Sequence, residues 1–297
     1  MYVYITYHKE VIWRSYAHCV GDPEHEYDEE VSSLKRGKTV TEISVCMITF
    51  NNSRTVEKAL KSVLPIASEI IVVDSFSTDE TYDIVKRYAT HCEQRTWPGF
   101  RDQYNYCVSK AGHEWVLFID ADEVLSSALV KEIPLRLEKE KEKVDGYIAH
   151  RRTFYLGRWI LHGGWVPDSE IRLFRKSRGN FEGDLHANVK VQGVVGELHG
   201  FYFHFNYRDI ADQIDTINTY SETAAQDMIT RGKTFSYVDL LLRPPLRFIK
   251  EYLIKRGFLD GFPGLVIAVS TMYYVFIKYA KLRESEEGLK KGTDNGT

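Results

Sequence analysis

From residue 43 the chain alternates short apolar runs with stretches of helical spacing. ISVCMITFNN (43–52) reads as a strand ending in Thr49, Asn51 and Asn52. TVEKALKSVLPIA (55–67) sets Val56, Leu60, Val63 and Leu64 at helical spacing, broken near Pro65. EIIVVDSFSTDET (69–81) predicts a second strand, and Ser77-Thr78-Asp79 offers an N-cap for the helix TYDIVKRYA. WVLFIDADE (115–123) is a third strand, uninterrupted from Trp115 to Ile119, as expected when both faces are covered. Strands separated by helix-length connections predict βαβ units and a parallel sheet. All three strands end in polar residues, TFNN, VDSFSTD and DADE. Ligands bind beyond the carboxyl ends of such strands, so one sheet edge is expected to be a polar pocket.

Residues 127–143 read as a charged helix. Past Gly146 the pattern becomes strand-like and aromatic (YIAHRRTFYLGRWI, GGWVPDSEIRLFRK, NFEGDLHANVKVQG) and is expected to close over the pocket. Helical patterning takes over from residue 209. The organisation expected is an extension of uncertain structure at 1–40, an α/β domain at 41–235, an apolar and amphipathic helical region at 236–285, and a polar tail at 286–297. Between Arg243 and Arg283 eight Lys and Arg residues face two acids, Glu251 and Asp260, and Phe262–Ile277 is free of charge. That run falls short of the roughly 18 residues of a spanning helix. Basic flanks on a Tyr-rich apolar stretch suit a segment lying on an anionic membrane surface; the alternative is a buried core helix with a solvated basic neighbour.

Composition narrows the class. With 297 residues, 43% hydrophobic and 27% charged, the chain has a real core. A net charge of −3 argues against general nucleic-acid binding, which needs a basic excess. Four cysteines without a CxxC pair point to a reducing compartment. MYVYITYHKEVIW lacks a basic region followed by an apolar stretch, so no secretory signal is expected.

Asp120-Ala121-Asp122 is the leading chemical candidate. Residues two apart at a strand end can point to one side, and two such carboxylates repel unless a cation lies between them. Mg²⁺ or Mn²⁺ suits oxygen ligands and bridges to diphosphate oxygens; a solvated acidic turn is the alternative. Asp74 could accept hydrogen bonds from a ribose or base, and Thr49 and Asn51 could line a nucleotide site. Arg101 and Gln103, upstream of the DAD strand, belong to a stretch suited to phosphate contacts. In GWVPDSEIRLFR, Trp165 beside an acid suits a sugar acceptor, with Arg172 in the same segment. Asp168, in a loop after Pro167, is the better base candidate, whereas Glu170 begins an alternating strand. Asp184 and His186 form a second polar cluster, His186 as a possible further metal ligand. No Ser/His/Asp order, P-loop, GxGxxG or HExxH pattern appears.

Together ISVCMITFNN, EIIVVDSFSTDET, WVLFIDADE, GWVPDSEIRLFR, LHANVKVQG and RFIKEYLIKRGFLDG resemble glycosyltransferase family 2, specifically its bacterial lipopolysaccharide-core glucosyltransferase-like branch, over about residues 41–283. The resemblance implies a GT-A, Rossmann-like sheet, mostly parallel and flanked by helices. It implies inverting transfer from a nucleotide-sugar, UDP-linked in first place, to a glycolipid or cell-envelope glycan, on the inner face of the cytoplasmic membrane. By position Asp74 would contact the nucleotide, and Asp120 and Asp122 would hold a divalent metal and the diphosphate. A later carboxylate would take the acceptor proton. Two departures matter. Relatives commonly read His-Glu where this chain has His186-Ala187, which leaves Asp168 or Asp184 as base. Relatives also read DSGSTD where Phe76 replaces the glycine, a change expected to reshape that turn. Ala187 motivates a second reading, a nucleotide-sugar binder without turnover. A nucleotidyltransferase is disfavoured because TFNNSRTVEK has no glycine.

Overall fold

The computed structural model describes residues 41–140, 143–183 and 187–294. The expectations for 1–40, Asp184 and His186 lie outside the described residues. In chain order the α/β part runs β1 (Ile43–Thr49), α1 (Val56–Val63), β2 (Glu69–Asp74), α2 (Thr81–Lys86), β3 (His91–Gln94), α3 (Phe100–Ser109), β4 (Trp115–Phe118), β5 (Glu123–Leu125) and α4 (Ser127–Glu140). It continues through β6 (Gly146–Tyr155), β7 (Arg158–Trp159), β8 (Ser169–Arg175), β9 (Gly179–Glu182), β10 (Asn188–Val191) and β11 (Val195–His204).

The main sheet has the order β3-β2-β1-β4-β8-β6-β11-β5, with β7 beside β6. The strand period of two sorts its apolar residues between two faces. Ile43, Val45, Met47, Val72 and Leu117 join α1 and α4 in one core, and Cys46, Ile71, Val73, Val116 and Phe118 meet α3 in another. Coverage on both sides is why these strands read as unbroken apolar runs.

The βαβ half is parallel, as expected: β1 pairs in parallel with β2 and β4, and β2 with β3. The rest is mixed. β8 pairs antiparallel with β4 and β6, and β5 antiparallel with β11. Of the aromatic segments after Gly146, β6 and β8 therefore lie within the main sheet, whereas β9 and β10 pair as a separate two-stranded sheet and line the cavity through Phe181, Asn188 and Val189. Leu173 and Phe174 of β8 are fully buried, and Leu173 stands opposite Leu117 of β4. Burial of this apolar register inserts β8 beside β4, and that delivers the residues of β8 next to Asp120.

The C-terminal region is helical: α5 (Ile210–Thr230), α6 (Tyr237–Ile249), a π turn (Lys250–Ile254), a 3-10 turn (Gly257–Asp260) and α7 (Gly261–Asp294). One side of α7 packs into the protein through Ile267, Ala268, Tyr279 and Leu282. Ser270 Oγ donates to Gln213 Oε1 of α5 at 3.2 Å, and Lys281 Nζ to the Asn218 carbonyl at 2.7 Å. Phe262, Val269, Tyr273 and Phe276 of α7 are exposed, as are Leu241, Leu242 and Leu246 of α6. Residues 257–288 are long and apolar enough to cross a membrane by length and composition, with one third of the apolar window buried in the protein.

Candidate active site

The register of β1 and β2 sets Thr49 opposite Asp74 at the polar end of the sheet. Asp74 is fully buried. Its Oδ1 accepts from Thr49 Oγ1 at 2.9 Å, and its Oδ2 from Ser77 N at 2.8 Å and Gln94 Nε2 at 3.0 Å. These bonds make it the knot of the turn that follows β2. Asn51 stitches the two loops together: its N–H donates to Ser77 Oγ at 2.9 Å, and its Oδ1 accepts from Thr78 N at 2.8 Å. Gln103, also fully buried, donates to Ser75 Oγ at 3.1 Å and accepts from Arg95 Nη1 at 2.8 Å. Arg101 is exposed and pairs with Asp102 at 2.9 Å. Phe76 adopts φ +60° in the left-handed region that glycine favours, and its side chain is exposed. Asp79 accepts from Thr81 N at 3.0 Å and from Ser53 N at 3.1 Å, while the N-cap position of α2 falls on Glu80, whose side chain makes no capping bond.

Beyond β4 lies a cavity of about 630 Å³, lined among others by Tyr104, Asp120, Arg151, Glu170, Arg172 and Tyr220. Its floor is a charged network. Arg172 Nη2 stands 2.8 Å from Asp120 Oδ2, 2.7 Å from Glu123 Oε1 and 3.0 Å from Glu170 Oε2. Arg151 Nη1 reaches Glu123 Oε1 at 3.2 Å, and its Nε donates to Asp168 Oδ2 at 2.7 Å. Asp122 Oδ2 faces His204 Nε2 at 3.3 Å. Burial pushes the Glu123 carboxyl up to about 7, against the pull of Arg172 and with Asp120 adding to the rise. Burial also opposes charge on Asp122 and His204, but their mutual attraction prevails, lowering the acid and raising the imidazole.

The sequence candidates thus divide. Asp120, Asp122, Asp168 and Arg172 share one network, and Asp74, Thr49, Asn51 and Gln103 share another. Trp165 is packed beside Tyr155 and Tyr207, with ring centroids 5.3 and 5.7 Å away, in a cluster that includes Ile267 of α7. Sequence reasoning missed Arg151, Glu123 as the network's centre, and His204. A signal for His204 existed, since FYFHFN is a further apolar run ending in a polar residue. Only the pairing of His204 with Glu123 across β11 and β5 brings it beside Asp122.

The cluster is rich in acids, the chemistry a hard divalent cation needs, but it is not a ready cage. Five carboxylates (Asp120, Asp122, Glu123, Asp168, Glu170) meet two guanidiniums and one imidazole, so the cluster stays net acidic even with His204 protonated and Glu123 partly protonated. Asp122 offers oxygen suited to Mg²⁺ or Mn²⁺, whereas His204 can add a nitrogen only as the neutral imidazole, a form that its contact with Asp122 disfavours. Among the described residues no group of three His, Cys, Asp or Glu side chains is placed to hold a metal, so the protein share of such a site is small.

A mixed α/β sheet with a charged cavity at its strand ends and a helical C-terminal region has the GT-A architecture of sugar-transferring enzymes. The chain belongs to Glycosyl transferase family 2, whose sequence profile matches residues 44–204, more than half of its length. Similar proteins include a glycosyltransferase of Rickettsia typhi, 30% identical over 259 residues, covering 82% of this chain and 87% of that protein. The lipopolysaccharide core biosynthesis glycosyltransferase LpsC of Rhizobium meliloti is 28% identical over 253 residues, covering 81% and 91%. Among solved structures, S. aureus TarS residues 1–349 aligns with a TM-score of 0.42 at 15% identity, covering 85% of this chain and 92% of that one.

Proposed function

We propose that this glycosyltransferase moves a sugar, with inversion, from a nucleoside diphosphate donor to a membrane-associated glycan acceptor of the cell envelope. The observation that carries this reading is the cavity beyond β4, lined by Asp120, Glu170, Arg151 and Arg172, in a chain whose family profile is that of glycosyltransferases. The Thr49, Asn51 and Asp74 loops would bind the nucleoside, with UDP-sugars the first donors to test. Asp122 and His204 would hold Mg²⁺ or Mn²⁺. When bound, that cation offsets charge on the departing diphosphate.

Asp168 is proposed as the proton acceptor. Arg151 Nε and Nη2 both address Asp168 Oδ2. Both contacts fall on one carboxylate oxygen, which would leave Oδ1 for an acceptor hydroxyl. Glu170, by contrast, has one oxygen 3.9 Å from Arg151 and the other 3.0 Å from Arg172. Ala187 lines the cavity without a carboxylate to compete. Arg151 would keep Asp168 ionised and oriented as the hydroxyl attacks the anomeric carbon opposite the leaving diphosphate.

The acceptor class is supported by the similarity to LpsC and by the exposed apolar residues of α6 and α7, which suit the cytoplasmic face of an anionic membrane. Thermal shift with UDP-, GDP- and dTDP-sugars, with and without Mn²⁺, tests the donor side, because a ligand that binds only the native state raises its stability with occupancy. Stabilisation by one nucleotide series, stronger with Mn²⁺, is expected. Inertness towards every donor would sink the reading.

A further inference from the structure

Between β7 and β8 the chain that carries Trp165 and Asp168 contains only one short 3-10 turn, Gly163–Trp165. Its anchors lie in the junction between α6 and α7. Leu161 N and His162 N donate to Asp260 Oδ2 at 3.1 and 2.7 Å, and His162 Nδ1 lies 3.1 Å from Asp260 Oδ1. Arg158 Nη2 stands 3.6 Å from the same oxygen. One turn further on, Gly163 N donates to the Lys255 carbonyl at 2.9 Å. Glu251 closes against Gly164 so tightly that a Cβ there would meet its Oε2 at 2.5 Å. Asp260 and Glu251 are 0% and 1% exposed. Buried carboxylates persist only where partners satisfy them. Here Asp260 is satisfied by the loop's backbone, whereas Glu251 has the charges of Arg247 at 3.0 Å and Lys255 at 3.4 Å beside it but no hydrogen bond to either carboxylate oxygen among the described residues.

The outer side of the same junction is apolar. Leu253, Ile254, Phe258, Leu259 and Phe262 are 45–72% exposed, and Lys250 and Arg256 stand exposed among them. Apolar side chains interspersed with cations match an anionic lipid surface, with the hydrocarbon entered by the former and the headgroups met by the latter.

We propose that Asp260 is a positioning residue that couples this surface to the acceptor-side loop, so that seating residues 250–262 on anionic lipid orders residues 160–168. The inference rests on the membrane reading above and adds how docking reaches the site. Asp260 does not line the cavity beyond β4. It holds the loop between Ile160 and the Trp165–Asp168 segment from outside the charged network. An acceptor anchored in the same lipid would then meet an ordered loop only at the membrane.

The test uses the full chain, vesicles of phosphatidylglycerol and phosphatidylcholine, co-sedimentation, and hydrogen exchange of peptides covering 160–168. Wild type should pellet with the vesicles, and exchange in this loop should slow by about tenfold or more. Asp260→Ala should still pellet and still bind UDP, yet lose the slowing. Asp260→Asn, whose side-chain oxygen can accept the two N–H bonds, should retain most of it and guards against a folding defect in the alanine variant. Leu253→Ser with Ile254→Ser should weaken pelleting while leaving loop exchange in solution as in wild type. Pelleting of wild type without any change in the loop, or slowing that persists in Asp260→Ala, overturns the coupling alone. Absence of pelleting overturns the membrane reading, and the coupling with it.

Discussion

Arg172 Nη2 lies 2.8 Å from Asp120 Oδ2, so the first aspartate of the DAD turn is held by a guanidinium and not by its neighbour Asp122. The same nitrogen neutralises Glu123, which has no exposed surface. Arg172→Ala would leave that carboxylate buried with Arg151 at 3.2 Å and the Asp120 N–H at 3.0 Å beside it but without its nearest cation. Breaking a buried pair in this way costs about 3–5 kcal/mol, which a fall in chemical denaturation midpoint would register. A variant that also carries Glu123→Gln should recover part of the loss.

Asp122 and His204 should act as a pair in metal-dependent nucleotide binding. Asp122→Ala or His204→Ala is expected to remove most of the Mn²⁺ enhancement of UDP affinity, an effect of several kcal/mol where a cation meets a diphosphate. Calorimetry with and without Mn²⁺ separates this from a folding defect. Enhancement left intact in both variants would refute the assignment.

Asp168→Asn keeps the shape and part of the Arg151 contact but cannot take a proton. Turnover should fall by about 10²–10⁴-fold with donor affinity little changed. Glu170→Gln should fall much less. If Glu170→Gln is the more damaging variant, the base is Glu170 and Asp168 only orients Arg151.

Phe76 occupies a left-handed position at φ +60° with its ring 51% exposed. A non-glycine residue there costs about 1–2 kcal/mol, while little apolar burial would be lost with the ring. Phe76→Gly should therefore leave stability unchanged or raise it by about 1 kcal/mol, since the relief is partly offset by the freer unfolded chain. A drop in thermal midpoint would reveal contacts that the exposed ring makes elsewhere.

Much of the first half was legible because its signals are local. Strands covered on both faces must be apolar throughout, and a strand that opens onto a pocket must change to polar residues where it leaves the core. TFNN, VDSFSTD and DADE each record that change, and the helices between them show their buried stripes. The left-handed turn at Phe76 was not legible, because the residue is one that rarely adopts it and the loop's stitching through Asn51 and Asp74 supplies the constraint.

The linear pattern determined that a βαβ sheet exists, where its polar edge falls, and that acids crowd it. Which acids meet which cations was decided by strand insertion. Arg172 reaches Asp120 across 52 positions only because β8 runs antiparallel beside β4. His204 reaches Asp122 only because β5 pairs with the end of β11. Asp260 reaches Leu161 and His162 only because the helical hairpin folds back on the loop. Pairing across such distances follows from burial of whole faces and from satisfaction of buried charge, which no short stretch of sequence encodes.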